Sequence, residues 1–335
     1  MSVVLPVFNA APYLGEAIES ILNQTLTNFE LLILDDGSTD GSLILAQKYA
    51  ARDPRVRVHA SAQNRGRAAT DNDGHALAQG RYIAKMDADD VALPQRLQRQ
   101  FDFLEARPAV ALTSSFLQTF GATRTVYEYP LSSAEVRAFL LFDTPVGNSS
   151  VFFRRELLAW YPHLHYDERI PGTYGEDYDW LARVARVATI ENQPEVLLRY
   201  RTYPPEAKAA VHARRTAQVR LVRERVLAEA GFQASADELA LHHALAHYPY
   251  EVGSRTLPEA HAWLLHLAEQ NEHLRYTEPL AMRRVLAARW FWACYHHSGL
   301  ATDVYRAFYS HSLAASYVPP VRLRLQFWLK NRFRR

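Results

Sequence analysis

Hydrophobic and polar positions along this chain follow two rhythms. In the first third, short β-rich apolar runs alternate with stretches of helical period. Ser2–Val7, Glu30–Leu34, Val56–Ala60 and Tyr82–Met86 are predicted strands. Tyr13–Leu22, Ser42–Arg52, Ala68–Ala78 and Pro94–Ala106 are predicted helices, the last opened by proline in its first turn. Strand–helix repetition at this spacing predicts an α/β domain with a mostly parallel sheet, helices on both faces and right-handed crossovers. Ligands of such sheets bind beyond the carboxyl ends of the strands, so the loops that follow them are the places to look for chemistry.

From Ala109 to Arg201 the pattern is mixed, with strand candidates at Val110–Ser114, Val151–Arg154 and Val196–Tyr200 and a helix beginning near Tyr178. This reads as the remainder of the same domain. Pro204-Pro205 then punctuates the chain, and helical periodicity dominates beyond it, at Glu206–Ala230, Ala236–Ala246, Leu257–Glu269 and Leu280–His296. The expected organisation is an α/β domain over residues 1–203 and a helical C-terminal region over 204–335 ending in a basic amphipathic tail. There is no internal repeat or low-complexity segment.

Composition narrows the class. With 335 residues and 48% hydrophobic content the chain can bury a sizeable core. A formal charge of +2 gives no global electrostatic case for nucleic-acid binding. The single cysteine, Cys294, rules out an intramolecular disulfide framework and fits a reducing compartment. Met1–Pro6 is too short an apolar stretch for a signal peptide and nowhere do 18 apolar residues follow one another, so the cytoplasm is the expected location.

Acids gather at the predicted strand ends. Asp87-Ala88-Asp89, extended by Asp90, follows the strand ending at Met86; carboxylates at i and i+2 can turn toward one point and hold a hard divalent cation, although a solvated turn also tolerates acids. Asp35-Asp36 follows four apolar residues, where adjacent charges need a partner such as a base N–H, a ribose hydroxyl or a metal. Gly37 and Asp40 suit a polar turn and a helix cap. After the first strand, Pro6-Val7-Phe8-Asn9 presents an aromatic ring that could stack on a base or pack in the core. Arg65 and Arg67 stand where a helix begins and oppose its dipole, a placement better explained by an anionic ligand or the nearby acids than by helix stability. Glu176-Asp177 opens a later helix, where acids also serve as ordinary caps.

Taken in order, these motifs resemble the inverting family 2 glycosyltransferases, which bind nucleotide sugars on a Rossmann-like GT-A fold. The resemblance covers residues 2–201 through Leu5-Pro6-Val7-Phe8-Asn9, Ile21-Leu22-Asn23-Gln24-Thr25, Asp35-Asp36-Gly37-Ser38-Thr39-Asp40, Asn64-Arg65-Gly66, Gly80-Arg81-Tyr82-Ile83, Met86-Asp87-Ala88-Asp89-Asp90 and Glu176-Asp177-Tyr178-Asp179. It implies a donor site in which Pro6, Val7, Phe8 and Asn9 line the base pocket and Asp36, with Asp35 nearby, meets uracil or ribose. It further implies that Arg67, Asp87 and Ala88 border the donor. Asp87 and Asp89 match the family's metal-binding DxD motif, with Asp89 the more direct ligand of Mg2+ or Mn2+, and Asp177 matches the general base. Glu176 and Trp180 fall on the acceptor side. The implied reaction moves a sugar with inversion from a nucleotide donor, expected to be a UDP-sugar, to a hydroxyl of a glycan or lipid-linked acceptor in cell-surface polysaccharide synthesis.

Two departures from the family pattern stand out. Thr70-Asp71-Asn72 lacks an arginine that many members carry, so either Arg67 substitutes for it or the donor sugar differs, and Tyr200-Arg201-Thr202-Tyr203 ends in tyrosine where a metal-binding histidine is common. Gly147-Asn148-Ser149-Ser150 looks family-like, with an acceptor-side role expected. A non-catalytic sugar-nucleotide or glycan-binding module on the same fold is the alternative. A dinucleotide-dependent oxidoreductase is disfavoured, because Val7-Phe8-Asn9-Ala10-Ala11-Pro12 has no glycine to let backbone approach a pyrophosphate.

His243 and His247, with His242, have a spacing that permits zinc but lack companion ligands, and a structural role is expected. The last segment, Val321–Arg335, interleaves basic residues with Leu, Phe and Trp and has no acids; it suits either the face of an anionic bilayer, hence a place at the inner face of the cell membrane, or packing on the helical region. Dimerisation through that region is a third use.

Overall fold

The computed structural model describes residues 1–170, 175–204, 209–246, 256–297 and 304–332, with the side chains of 209–215 outside the description. The chain divides into two compact units, Met1–Ser133 with Thr144–Val219, and Ala134–Asp143 with Arg220–Arg335.

In the first unit, β1 (Ser2–Val7), α1 (Ala11–Leu22), β2 (Glu30–Asp35), α2 (Ser42–Ala50), β3 (Val56–Ala60), α3 (Arg67–Leu77) and β4 (Tyr82–Lys85) follow the predicted alternation to within two residues. Every side chain of β1 is buried, as are Leu31–Asp35 of β2, so these strands are covered on both faces. β5 (Val91–Ala92), α4 (Arg96–Glu105), β6 (Val110–Gly121), β7 (Val126–Tyr127), α5 (Ser133–Leu140), β8 (Phe152–Arg154), α6 (Glu156–Trp160), α7 (Glu176–Val187) and β9 (Thr189–Thr202) come next. The helix expected from Pro94 starts at Arg96, because Pro94 lies in a turn whose carbonyl accepts the Thr25 N–H at 2.9 Å.

The strand order is β3-β2-β1-β4-β8-β6-β9-β5, with β7 beside β6. From β3 to β4 the sheet is parallel, as the alternation predicts. Beyond β4 it is mixed: β8 runs antiparallel to both neighbours and β5 to β9, while β6 and β9 are parallel. β6 extends well past the predicted Ser114 because its polar stretch is buried and bonded. The Ser150 Oγ, for example, accepts the Ser115 N–H at 3.1 Å. Chain order reverses at β1, which lies between β2 and β4, and a cleft opens at the carboxyl ends of strands on either side of such a reversal. Close packing fixes α3 over β1. A Cβ on Gly74 would lie 2.4 Å from Val4 Cγ1, so only glycine lets the helix sit there.

The second unit contains α5, the later part of α8 (Ala209–Glu229), and then α9 (Ala236–Ala246), α10 (Leu257–Leu274), α11 (Pro279–His297), α12 (Val304–Ser310) and α13 (Val321–Arg332). Segment 134–143, which the sequence pattern places in the α/β domain, belongs here by its bonds. Thr277 Oγ1 donates to the Ala134 carbonyl at 2.8 Å, Tyr276 Oη to that of Arg137 at 3.0 Å, and Arg223 Nε to that of Phe142 at 2.6 Å. Trp263, Trp290, Phe291, Cys294 and Phe308 are buried in its core. None of the described helices is long and apolar enough to cross a membrane.

Candidate active site

Register places the candidate residues together. Val7 at the end of β1 pairs with Asp35 at the end of β2, and Val4 pairs with Lys85 at the end of β4, so the loops carrying Phe8, Asp36 and Asp87 leave one edge of the sheet. They enclose a cavity of about 480 Å3. Pro6, Val7, Phe8, Asn9, Ala10 and Tyr13 line it from the β1 side, and Asp36, Asn64, Gly66, Arg67 and Thr70 from the β2 and α3 side. Asp87, Ala88, Asp89 and Tyr203 complete the wall.

The β1 and β2 loops are tied to each other. Asn9, at φ 50°, accepts the Thr39 N–H on its Oδ1 at 2.8 Å while its own N–H donates to Ser38 Oγ at 3.0 Å. Asp40 accepts from Ala11 N and Ser42 N, and so joins the starts of two helices. Gly37 has φ 71°, and a Cβ there would come within 2.7 Å of the Gln63 backbone. Phe8, by contrast, remains 49% exposed, which leaves its ring available to a ligand rather than committed to the core.

Asp35 and Asp36 are both buried but behave differently. Asp36 accepts the Arg65 N–H at 2.8 Å on one oxygen and the Gly66 N–H at 2.9 Å on the other, so it shapes the turn that leads into α3 and still borders the cavity. Asp35 accepts the Ser38 N–H at 3.1 Å, does not line the cavity, and its Oδ1 has no protein partner. That orphan oxygen is the charge-crowding expected of two acids after an apolar strand.

Around the acidic triplet the charges are strongly coupled. Asp87 forms an ion pair with Arg67, and Asp89 Oδ2 accepts the Tyr203 hydroxyl at 2.7 Å. Arg201 Nε donates to the Asp89 carbonyl at 2.8 Å, and its N–H donates to the buried Asp90 Oδ1 at 2.9 Å. Burial, then repulsion from Asp87 and Asp89, pushes the Asp90 carboxyl up to about 8. Among the described residues no group of three or more His, Cys, Asp and Glu is arranged to hold a metal. Two cavity-lining carboxylates nevertheless suit a magnesium or manganese ion, which retains waters and completes its shell on substrate phosphates. The donor set thus fits the cation that the DxD resemblance implies.

Beneath Arg67 lies a buried polar chain that sequence reasoning missed. Asp71 Oδ2 accepts from Arg67 Nε at 3.0 Å and from Lys85 Nζ at 2.9 Å, and Lys85 also donates to the Tyr166 hydroxyl at 2.6 Å. Burial alone would raise the Asp71 carboxyl, but Lys85 and Arg67 overcome it and hold the group far below the usual carboxylate range. Part of the signal is in the chain: a lysine ends the apolar strand Tyr82–Lys85, and an Arg–Asp pair stands at i, i+4 on the preceding helix.

Glu176 and Asp177 open α7 and do not line the cavity as described, although their charges reach Tyr166, whose hydroxyl burial, Asp71 and Asp177 all push up. Asp177 is half-buried and accepts the Tyr178 N–H at 2.8 Å. Glu176 is buried, its Oε2 has no protein partner, and burial with the adjacent Asp177 raises its carboxyl to about 8. Trp180, expected on the acceptor side, is fully buried; it donates to the Leu164 carbonyl at 2.9 Å and stacks on Tyr166 at 5.1 Å. Ser149 and Ser150 are likewise buried, and Ser150 Oγ accepts the Ser115 N–H of β6.

Residues 2–167 match the glycosyl transferase family 2 model. The chain belongs, through these residues, to glycosyl transferase family 2. An uncharacterized glycosyltransferase of Haemophilus influenzae is 29% identical over 214 residues, which is 61% of this chain and 65% of that protein. The putative glycosyltransferase EpsE of Bacillus subtilis is 42% identical over 106 residues, 31% of this chain and 38% of that protein. The chain thus spans less than two thirds of either relative. Among solved structures, Staphylococcal (S. aureus) TarS 1-349 in complex with UDP superposes with a TM-score of 0.56 at 16% identity, covering 99% of this chain and 90% of that one. The same protein with UDP-GlcNAc gives 0.58 at 16% identity, covering 87% and 86%. This family 2 chain therefore has the GT-A fold followed by a helical C-terminal region.

Proposed function

We propose that this chain is a metal-dependent, inverting glycosyltransferase that takes a sugar from a nucleotide donor, a UDP-sugar, and passes it to a hydroxyl of a glycan or lipid-linked saccharide in polysaccharide synthesis. The observation that carries the reading is the convergence of Phe8, Asp36, Arg67, Asp87 and Asp89 on one cavity at the strand ends of a family 2 fold. The UDP and UDP-GlcNAc complexes of TarS, which shares this fold, support the choice of donor.

The exposed ring of Phe8 stacks on the base, and Asp36 with the backbone it organises holds the nucleoside. Asp87 and Asp89 would hold the dication, which supplies electrostatic stabilisation to the departing diphosphate. Arg67 adds positive charge on the same side. Asp177 takes the proton from the attacking hydroxyl, and a single in-line displacement inverts the anomeric carbon. Glu176, buried beside it, adds a second carboxyl whose protonation keeps Asp177 from facing a full second charge. In the second unit, α13 turns Val321, Leu325, Trp328 and Leu329 outward among Arg322, Arg324, Lys330 and Arg332, a surface suited to an anionic bilayer.

A saturation-transfer NMR screen of nucleotide sugars with Mn2+ present tests the donor assignment. Transfer to uracil and ribose protons is expected, with donor turnover stopped by EDTA. Failure of every nucleotide to bind, or turnover untouched by chelation, would overturn the reading.

A further inference from the structure

The ion pair between Arg67 and Asp87 has a consequence for how ligands enter the site. Arg67, Lys85, Asp71 and Asp87 form a balanced quartet of two cations and two anions. Lys85 is fully buried, Asp71 is 1% exposed and the two are bonded at 2.9 Å, so the lower half of the quartet is fixed in the core. Arg67 reaches up from it, with Nε on Asp71 and its outer nitrogen on Asp87, and its guanidinium lines the cavity. One end of the guanidinium is therefore anchored and the other rests on a carboxylate that the site also offers to a cation.

We propose that Arg67 is an internal counter-ion that couples cation binding to donor binding. While the site holds no dication, the guanidinium neutralises Asp87 and competes for it. Once Asp87 turns to a dication, the quartet carries one surplus positive charge at Arg67, which the diphosphate of the donor satisfies. Arg67 thus opposes the cation alone, favours the nucleotide diphosphate, and makes each ligand assist the other by the same factor, as linkage requires. The anchor on Asp71 lets the guanidinium change partner without leaving its place, and Thr70-Asp71-Asn72 then reads as the charge-exchanged counterpart of the arginine it lacks. The proposal rests on the cavity being the nucleotide-sugar site.

Calorimetric titrations of Mn2+ alone, UDP alone and Mn2+ with UDP saturating, on the wild type, Arg67→Met and Arg67→Lys, separate the possibilities. Arg67→Met is expected to bind Mn2+ alone about tenfold more tightly and UDP alone more weakly, so that the gain in Mn2+ affinity conferred by UDP shrinks about tenfold. Arg67→Lys keeps the charge but not the two-ended reach, and is expected to fall between. Thermal melts identify any variant that fails to fold, in which case Arg67→Lys alone decides by the same signs. Wild-type UDP binding combined with unchanged or weaker Mn2+ affinity in both variants would overturn the coupling and leave the donor site standing. A wild type that binds neither UDP nor Mn2+ would overturn the donor site and the coupling together.

Discussion

The buried histidines at the start of the helical unit and the buried acids of the α/β unit make a contrast. In the helical unit His242 hydrogen-bonds the Leu141 carbonyl at 2.8 Å and stacks on Phe142, and His243 lies between Arg223 and Glu224. Burial lowers the affinity of His242 for a proton, so it stays uncharged. This agrees with the structural role expected of these histidines; His247 lies outside the described residues. In the α/β unit, several buried acids remain charged or carry orphan atoms behind the residues that line the cavity. Asp71 stays ionised under Lys85, and Asp90 and Glu176 are pushed up to about 8. A buried polar atom satisfied by its own neighbours is part of the scaffold. One left short of a partner beside an opening marks where a ligand belongs.

Breaking that contrast should give effects of graded size. Asp177→Asn is expected to lower kcat by about a thousandfold while leaving UDP affinity unchanged, the signature of a lost base rather than a lost contact. Equal losses in both, measured by steady-state kinetics and calorimetry, would remove Asp177 from the chemistry. Lys85→Met strips the cation from a buried carboxylate and should cost about 3–5 kcal/mol in urea unfolding of the intact chain. His242→Phe, which loses the bonds to the Leu141 carbonyl and from Trp263 Nε1, should cost about 1–3 kcal/mol and leave UDP binding untouched. Phe8→Ala should weaken UDP by about 1–3 kcal/mol through lost stacking, with a change in stability within about 0.5 kcal/mol because the ring is exposed.

The same contrast carries a pH dependence. Glu176 titrates higher folded than unfolded, so its contribution is complete below about pH 4 and is lost as pH rises toward 8. Glu176→Gln should flatten the decline in stability across that range, followed by urea midpoints. A slope identical to wild type would show that Glu176 does not carry its proton to neutral pH.

Much of this was legible in the chain. The alternation over residues 2–106 gives the first four strands because the apolar runs of β1, β2 and β4 are buried, and acids follow where the runs of β2 and β4 stop. The other half of the sheet was harder. β6 and β9 carry buried Thr113, Ser114, Asn192 and Gln193, whose partners, such as the Pro130 and Pro145 carbonyls for Asn192, are distant in sequence and leave no local signature. Segment 134–143 looked like part of the α/β domain because its partners, from Arg223 to Thr277, are distant in sequence. At the site, Asp87, Asp89, Asp36, Phe8 and Arg67 were readable from position at strand ends. The buried relay of Asp71, Lys85 and Tyr166 was not, since Tyr166 joins from far along the chain. Trp180 is fully buried on α7, a placement that its spacing from Asp177 does not reveal.

The central claim is that the acidic triplet holds a cation against a nucleotide diphosphate. Its most direct test is the affinity of UDP for the wild type and Asp89→Asn, titrated with and without Mn2+. The account predicts that Mn2+ strengthens UDP binding to the wild type by about tenfold or more, and that Asp89→Asn keeps the metal-free affinity while losing most of that gain. An equal gain in both proteins, or none in the wild type, would contradict it.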